Sequence, residues 1–161
     1  FIKKNTKLVD IGSYPGGWAQ VSSKIITVGK ILALDIQKME NLKNVSFLQV
    51  NFHEEEAKEK IFKFFKQKLD VVLSDMAADT TGNKALDCIR TNQLCADVVE
   101  FSSKILKPNG VLVSKLFMGE DFLEVKDLAK SRFKKVQFFK PEASRNESKE
   151  TYLHCSILRT L

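Results

Sequence analysis

The residues richest in chemical possibility form a short turn. Gly12-Ser13-Tyr14-Pro15-Gly16-Gly17, followed by Trp18, comes directly after the apolar run Lys7–Ile11. A buried strand that breaks into a glycine turn is how α/β proteins open a cofactor site, because glycine lets the backbone approach a ligand closely. The spacing narrows the ligand. Gly12 and Gly16 are four positions apart, unlike the G-x-G-x-x-G of dinucleotide enzymes, and this disfavours a pyrophosphate cradle. A second apolar run ends in Asp35, whose carboxylate could accept hydrogen bonds from ribose hydroxyls. Turn and acid together suit a cofactor with adenosine but no phosphates, S-adenosylmethionine foremost. The competing reading is a tight structural turn with a surface aspartate.

Such residues need a scaffold, and the hydrophobic pattern supplies one. KLVDIG, KILALDI, VSFLQV, LDVVLSDM and GVLVSKLF are short runs rich in Val, Ile and Leu, as expected for strands buried on both faces. Helical patterns lie between them: Trp18 to Ile26, Glu54 to Lys66 with three leading glutamates, Ala85 to Leu106, and EDFLEVKDLAKSRF. Pro108-Asn109-Gly110 reads as a turn between the third helix and the fifth strand. KKVQFFK and TYLHCSIL alternate enough to be strands and could pair as a hairpin across the polar loop PEASRNESKE. Alternating strands and helices predict one α/β domain over residues 1–161: a doubly wound, mixed seven-stranded sheet with a terminal antiparallel hairpin and helices on both faces.

Composition narrows the classes further. At 161 residues and 43% apolar content, the chain can bury one good-sized core. Charge interrupts every apolar run well before the roughly 18 residues of a membrane span. Cys88, Cys95 and Cys155 show no CxxC spacing and His53 and His154 lie far apart, so neither a disulfide framework nor a metal site is indicated. A net charge of +6 and an isoelectric point near 9.2 suggest an acidic partner, nucleic acid before membrane surface.

Five blocks carry a family resemblance. DIGSYPGGWAQ, LALD, DVVLSDMAADTTG, ILKPNGVLVSKLFMG and KPEASRNESKETY resemble, in order and spacing, the FtsJ/RrmJ (RlmE) family of ribosomal RNA large-subunit 2′-O-methyltransferases. The resemblance implies a class I methyltransferase fold (Rossmann-like) binding S-adenosylmethionine at the ends of the first, second and fourth strands. Gly12, Pro15, Gly16, Gly17 and Trp18 would form the turn around it, with Gly16, Gly17 and Trp18 on its methionine side. Asp35 would hold the ribose. Asn51 stands where the family usually has an aspartate beside the adenine. Its amide oxygen could accept from the adenine amino group, and its NH2 could donate to a ring nitrogen.

The reaction implied is methylation of a ribose 2′-hydroxyl, a weak nucleophile that needs its proton removed. Lys115 ends an otherwise apolar strand, where desolvation could favour a neutral amine able to take that proton. Asp75, at the end of the neighbouring strand, could orient the amine and touch the cofactor, and Glu150 could support the cluster. These three match members of the family's Lys-Asp-Lys-Glu tetrad. The first lysine of the tetrad is expected in a segment preceding Phe1. Where family members often have proline and asparagine after SDMA, this chain has Ala78 and Asp79, which predicts a softer loop on the substrate side. No metal is required by this chemistry.

Lys130, Arg132, Lys134, Lys135, Lys140, Arg145 and Lys149 could hold RNA phosphates near Glu150, with a solvated basic surface as the competing account. Lys3, Lys4 and Lys7 could extend the patch. Phe138 and Phe139 could stack bases or pack in the core. The expected partner is large-subunit ribosomal RNA or the assembled subunit, with a uridine as target; DNA and membranes are not expected partners. A monomer is expected, in a bacterial cytoplasm or, as the alternative, a mitochondrial matrix. The rival functions are transfer-RNA 2′-O-methylation, a non-catalytic RNA-binding role in ribosome assembly and, distantly, a nicotinamide dehydrogenase.

Overall fold

The computed structural model describes residues 1–141 and 149–160. The elements in chain order are β1 (Lys7–Ile11), α1 (Gly17–Ile25), β2 (Lys30–Asp35), β3 (Ser46–Gln49), α2 (Glu55–Phe65), β4 (Leu69–Ser74), α3 (Lys84–Ile105), β5 (Leu106–Phe117), α4 (Phe122–Arg132), β6 (Phe133–Phe139) and β7 (Glu150–Leu158). The strands form one seven-stranded sheet in the order β3-β2-β1-β4-β5-β7-β6. β1 to β5 run parallel, whereas β7 is antiparallel to both of its neighbours. This is the mixed doubly wound sheet with a terminal hairpin that the pattern predicts.

Burial follows position in the sheet. β1, β2 and β4 are almost continuously buried, because central parallel strands are covered on both faces. β3 is half-buried at one edge. β6, the other edge, exposes Lys134, Lys135, Gln137 and Phe139. Side chains on β7 at Thr151, Tyr152, Leu153 and Cys155 are buried, which explains why this strand of the hairpin takes the inner position against β5.

Local signals set most helix ends. Asn83 caps α3, its side chain accepting from Leu86 N at 3.1 Å. α2 opens with Glu55 and Glu56 and closes with Lys63 in its last turn, charges that oppose the helix dipole. One turn signal is overridden: Pro108-Asn109-Gly110 lies inside β5. Leu106 already pairs with Leu69, while Val111 pairs with Val71, so the extra residues are absorbed as an irregularity in the ladder.

The sheet's two faces are covered unequally. Val9, Ile11, Leu32, Leu34, Leu112 and Leu116 pack against α2, α3 and α4 in the larger core. On the opposite face, Leu8, Ile31, Val71, Leu73 and Val113 meet Ile26, Trp18 and Tyr152, with Ala19 of α1 against Ala33 and Met39. Among the described residues, no helix is long and apolar enough to cross a membrane.

Candidate active site

Backbone hydrogen bonds lace together the carboxyl ends of the central strands. Gly12 N and Ser13 N both donate to Leu34 O, at 2.9 and 3.0 Å; Asp75 N donates to Ile11 O at 3.3 Å, and Val50 N to Asp35 O at 2.9 Å. Above them opens a cleft of about 550 Å3 whose walls include Gly12, Asp35, Asn51, Asp75, Met76 and Arg90. It sits where the chain order reverses between β1 and β4, the usual place for a ligand in an open α/β sheet.

The turn after β1 is held open by glycine. Gly12 has φ +71°, and a Cβ there would lie 2.4 Å from Met76 Cγ, so a side chain would both strain the backbone and displace the cleft wall. Gly16, the residue before α1, has φ +117°. Asp35 is oriented by two backbone donors, Tyr14 N to Oδ2 and Gln37 N to Oδ1, both at 2.8 Å. Further lone pairs on each oxygen remain for hydroxyl donors. Asn51 Oδ1 accepts from His53 N at 3.0 Å, so the amide NH2 is the part that this local turn does not use. Pro15, Gly16, Gly17 and Trp18 lie outside the cleft walls, at the entry to α1.

A second cluster adjoins the cleft through Asp75. Lys115 Nζ lies 3.3 Å from Asp75 Oδ1 and 3.4 Å from Glu150 Oε2, and only 14% of its side chain is exposed. Strand register brings these groups together: Lys115 pairs with Tyr152, Phe117 with Glu150, and Ser74, just before Asp75, with Ser114. The Tyr152 hydroxyl reaches Asp75 Oδ1 at 2.9 Å and Glu150 Oε1 at 3.1 Å. Its one proton serves either carboxylate or is shared. Burial, reinforced by the negative charge of Asp75 and Glu150, pushes the phenol far above its ordinary range and keeps it a donor.

Sequence reasoning placed Asp75, Lys115 and Glu150 but missed two partners. One is Tyr152, inside the alternating run TYLHCSIL. The other is Asp10, whose signal was an acid inside the apolar run KLVDIG. It is buried to 1% exposure, and neither carboxylate oxygen has a hydrogen-bond partner among the described residues. Burial first, then the nearby charges of Asp75 and Asp35, pushes its carboxyl up to about 8. Asp35 and Asp75 therefore set a negative field beside the cleft, against which the buried Asp10 keeps its proton.

The basic residues are more scattered than the sequence suggested. Arg132 is tied to Glu100 at 2.9 Å, whereas Lys134 and Lys135 are exposed on β6. Arg145 lies outside the described residues. The loop after β4 is better tethered than its lack of proline implied, with Ala78 N donating to Thr91 Oγ1 at 3.0 Å and Thr81 N to Asp87 Oδ1 at 3.0 Å.

Comparison with known proteins decides the family. The family model of FtsJ-like methyltransferases matches residues 1–157. The chain belongs to this family. It is 41% identical to the ribosomal RNA large subunit methyltransferase E of Pelagibacter ubique over 157 residues, covering 98% of this chain and 77% of that protein. With the enzyme of the same name from Rickettsia akari it shares 45% identity over 155 residues, covering 92% and 68%. A crystal structure from Plasmodium falciparum, described as a ribosomal RNA methyltransferase, superimposes with a TM-score of 0.86 at 28% identity, over 98% of this chain and 89% of that one. Human methyltransferase-like protein 13, in complex with S-adenosylhomocysteine, shares the fold at a TM-score of 0.69 and 15% identity, over 95% and 72%.

An FtsJ-like methyltransferase implies S-adenosylmethionine, and the residues present fit it. Asp35 and Asp75, both on the cleft walls, favour a ligand that brings hydroxyl donors and positive charge, which a ribose and a sulfonium group would supply. A dinucleotide would bring phosphates into the same negative field. Family membership and field together leave no support for a nicotinamide dehydrogenase.

Proposed function

We propose that this FtsJ-like methyltransferase transfers the methyl group of S-adenosylmethionine to a ribose 2′-hydroxyl of RNA, with a uridine of large-subunit ribosomal RNA as its target. The observation that carries the reading is the position of Lys115: an amine with little exposure, set between two carboxylates, one of which is also a wall of the cofactor cleft. The names of the bacterial relatives support the choice of ribosomal RNA.

In this reading Asp35 accepts hydrogen bonds from the cofactor ribose and Asn51 donates to the adenine. Gly16, Gly17 and Trp18, beside Pro15 at the entry to α1, flank the methionine side from outside the cleft walls. When bound, S-adenosylmethionine supplies an electrophilic methyl group for the hydroxyl oxygen to attack. Lys115 Nζ, as the free amine, takes the hydroxyl proton. Asp75 and Glu150 stabilise the ammonium so formed, and Tyr152 holds the two carboxylates in place by donating to them.

The deciding experiment supplies labelled S-adenosylmethionine and undermethylated large ribosomal subunits to the full-length chain, with free transfer RNA in parallel. Label on one ribose of the subunit, absent with Lys115→Ala, is the expected outcome. Label on transfer RNA alone would overturn the substrate, and label that persists in Lys115→Ala would overturn the base.

A further inference from the structure

Beyond the catalytic cluster the sheet carries aromatic surface that proton transfer does not use. The Tyr152 ring packs against Trp18, with centroids 5.5 Å apart, and against Phe139, 5.7 Å apart and only 24° from parallel. Tyr152 is 7% exposed, whereas Phe139 is 45% exposed. Core packing accounts for its neighbour instead: Phe138 packs on Phe122, centroids 4.7 Å apart, and belongs to the core under α4. The Phe139 backbone is pinned as well, its carbonyl accepting from Thr151 Oγ1 at 2.8 Å. An exposed aromatic ring is therefore held at the carboxyl end of an edge strand.

Register relates this ring to the reaction. Lys115, Tyr152 and Phe139 are successive cross-strand partners on β5, β7 and β6. Two strand spacings, about 10 Å, separate the outer pair. That is the scale of one nucleotide and its neighbour. Alternation along β6 puts Lys135, Gln137 and Phe139 on one face, opposite Ser156, His154 and Tyr152. Exposed Lys135 adds positive charge farther along that face, in a chain of net charge +6. A ring that can stack a base, followed by a cation that can hold phosphates, is the combination that binds single strands; a duplex keeps its bases stacked on each other.

We propose that Phe139, backed by Tyr152, is a stacking platform for a base of single-stranded RNA within one nucleotide of the reacting ribose, and that the strand continues along β6 toward Lys135. The inference rests on the RNA 2′-O-methyltransferase reading and adds the conformation of the RNA and the residue that holds it. The test measures anisotropy of dye-labelled hexauridylate RNA with the full-length chain, and the KM for undermethylated large subunits. Phe139→Ala weakens hexauridylate binding about tenfold and raises KM more than it lowers kcat. Phe139→Leu, which keeps an apolar cover over Tyr152 without an aromatic face, weakens binding nearly as much; Phe139→Trp retains it. Calorimetric affinity for S-adenosylhomocysteine stays the same in all three, which reports an intact cleft.

Wild-type binding by Phe139→Leu, or equal competition by a duplex, would overturn the platform. The two readings can fail separately. Methyl transfer with an unchanged KM in Phe139→Ala would remove the platform and leave the enzyme, whereas Phe139-dependent binding without any methylated ribose would do the reverse.

Discussion

The two faces of the sheet are made from the same strands yet have different work. On the face covered by α2, α3 and α4, the strands contribute Val9, Ile11, Leu32, Leu34, Leu112 and Leu116, and the helices fill the space with Ile61, Phe65, Val98 and Ile105. On the face covered by α1, β1 contributes Asp10 and β5 Lys115, Asp75 follows directly on β4, and β7 adds Glu150 and Tyr152. Successive side chains on a strand point to opposite faces, so β1 can place Val9 and Ile11 in the large core and Asp10 on the other side. The cleft opens at the carboxyl ends of the strands, where Ile11, Leu34 and Phe52 of the large core border Asp35 and Asp75. Stability and chemistry are thus carried by alternate residues of single strands.

Substitutions on the two faces should separate these functions. The largest effect is expected from Lys115→Ala, which lowers the rate of methyl transfer by about 10^2 to 10^4 while the midpoint of thermal denaturation barely moves. A normal rate in that variant would dissolve the distinction. On the other face, Phe133→Ala, which truncates a fully buried ring, destabilises by about 3–5 kcal/mol in urea unfolding. Cofactor affinity per folded molecule stays close to wild type.

Asp10 sharpens the comparison through pH. Below about pH 4 its carboxyl is protonated in both folded and unfolded chains. From there to about 8 the unfolded chain releases a proton that the folded chain keeps, so this residue's contribution to stability falls as pH rises and levels off beyond 8. The slope is at most about 1.4 kcal/mol per pH unit. Denaturation midpoints of wild type and Asp10→Asn, compared from pH 5 to 8, should diverge in favour of the amide variant; parallel curves would mean that the carboxyl is not held protonated. The smallest effect is expected from Tyr152→Phe, about a tenfold loss in kcat. Binding of S-adenosylhomocysteine should be unaltered, and a fall in that affinity instead would place the hydroxyl in the cofactor site.

What was legible in the sequence follows from how local each signal is. The buried parallel strands showed as apolar runs because both faces of a central strand must be covered, and the start of α2 showed in its glutamates; Asn83, the cap of α3, went unread. The turn at Pro108-Asn109-Gly110 misled, because a ladder with Leu69 on its far side can hold an irregular segment in the strand. The acid and the lysine ending LDVVLSDM and GVLVSKLF were visible as polar residues that apolar strands would not carry without a use. Tyr152 was not, since a tyrosine in an alternating strand is an ordinary packing residue until a hydroxyl partner is known.

Sequence by itself determined the elements, the glycine turn that only glycine at Gly12 permits, the acid at the end of β2 and, through its motifs, the family. Tertiary structure decided which of the hairpin strands lies against β5, that Asp10 has no hydrogen-bond partner among the described residues, and that Lys115, Asp75, Glu150 and Tyr152 meet at one point. The physical reason is the separation of contributors along the chain. Propensity and periodicity act over a few neighbouring residues, whereas Asp75 and Tyr152, 77 positions apart, come within hydrogen-bond distance only when sheet order and register are set.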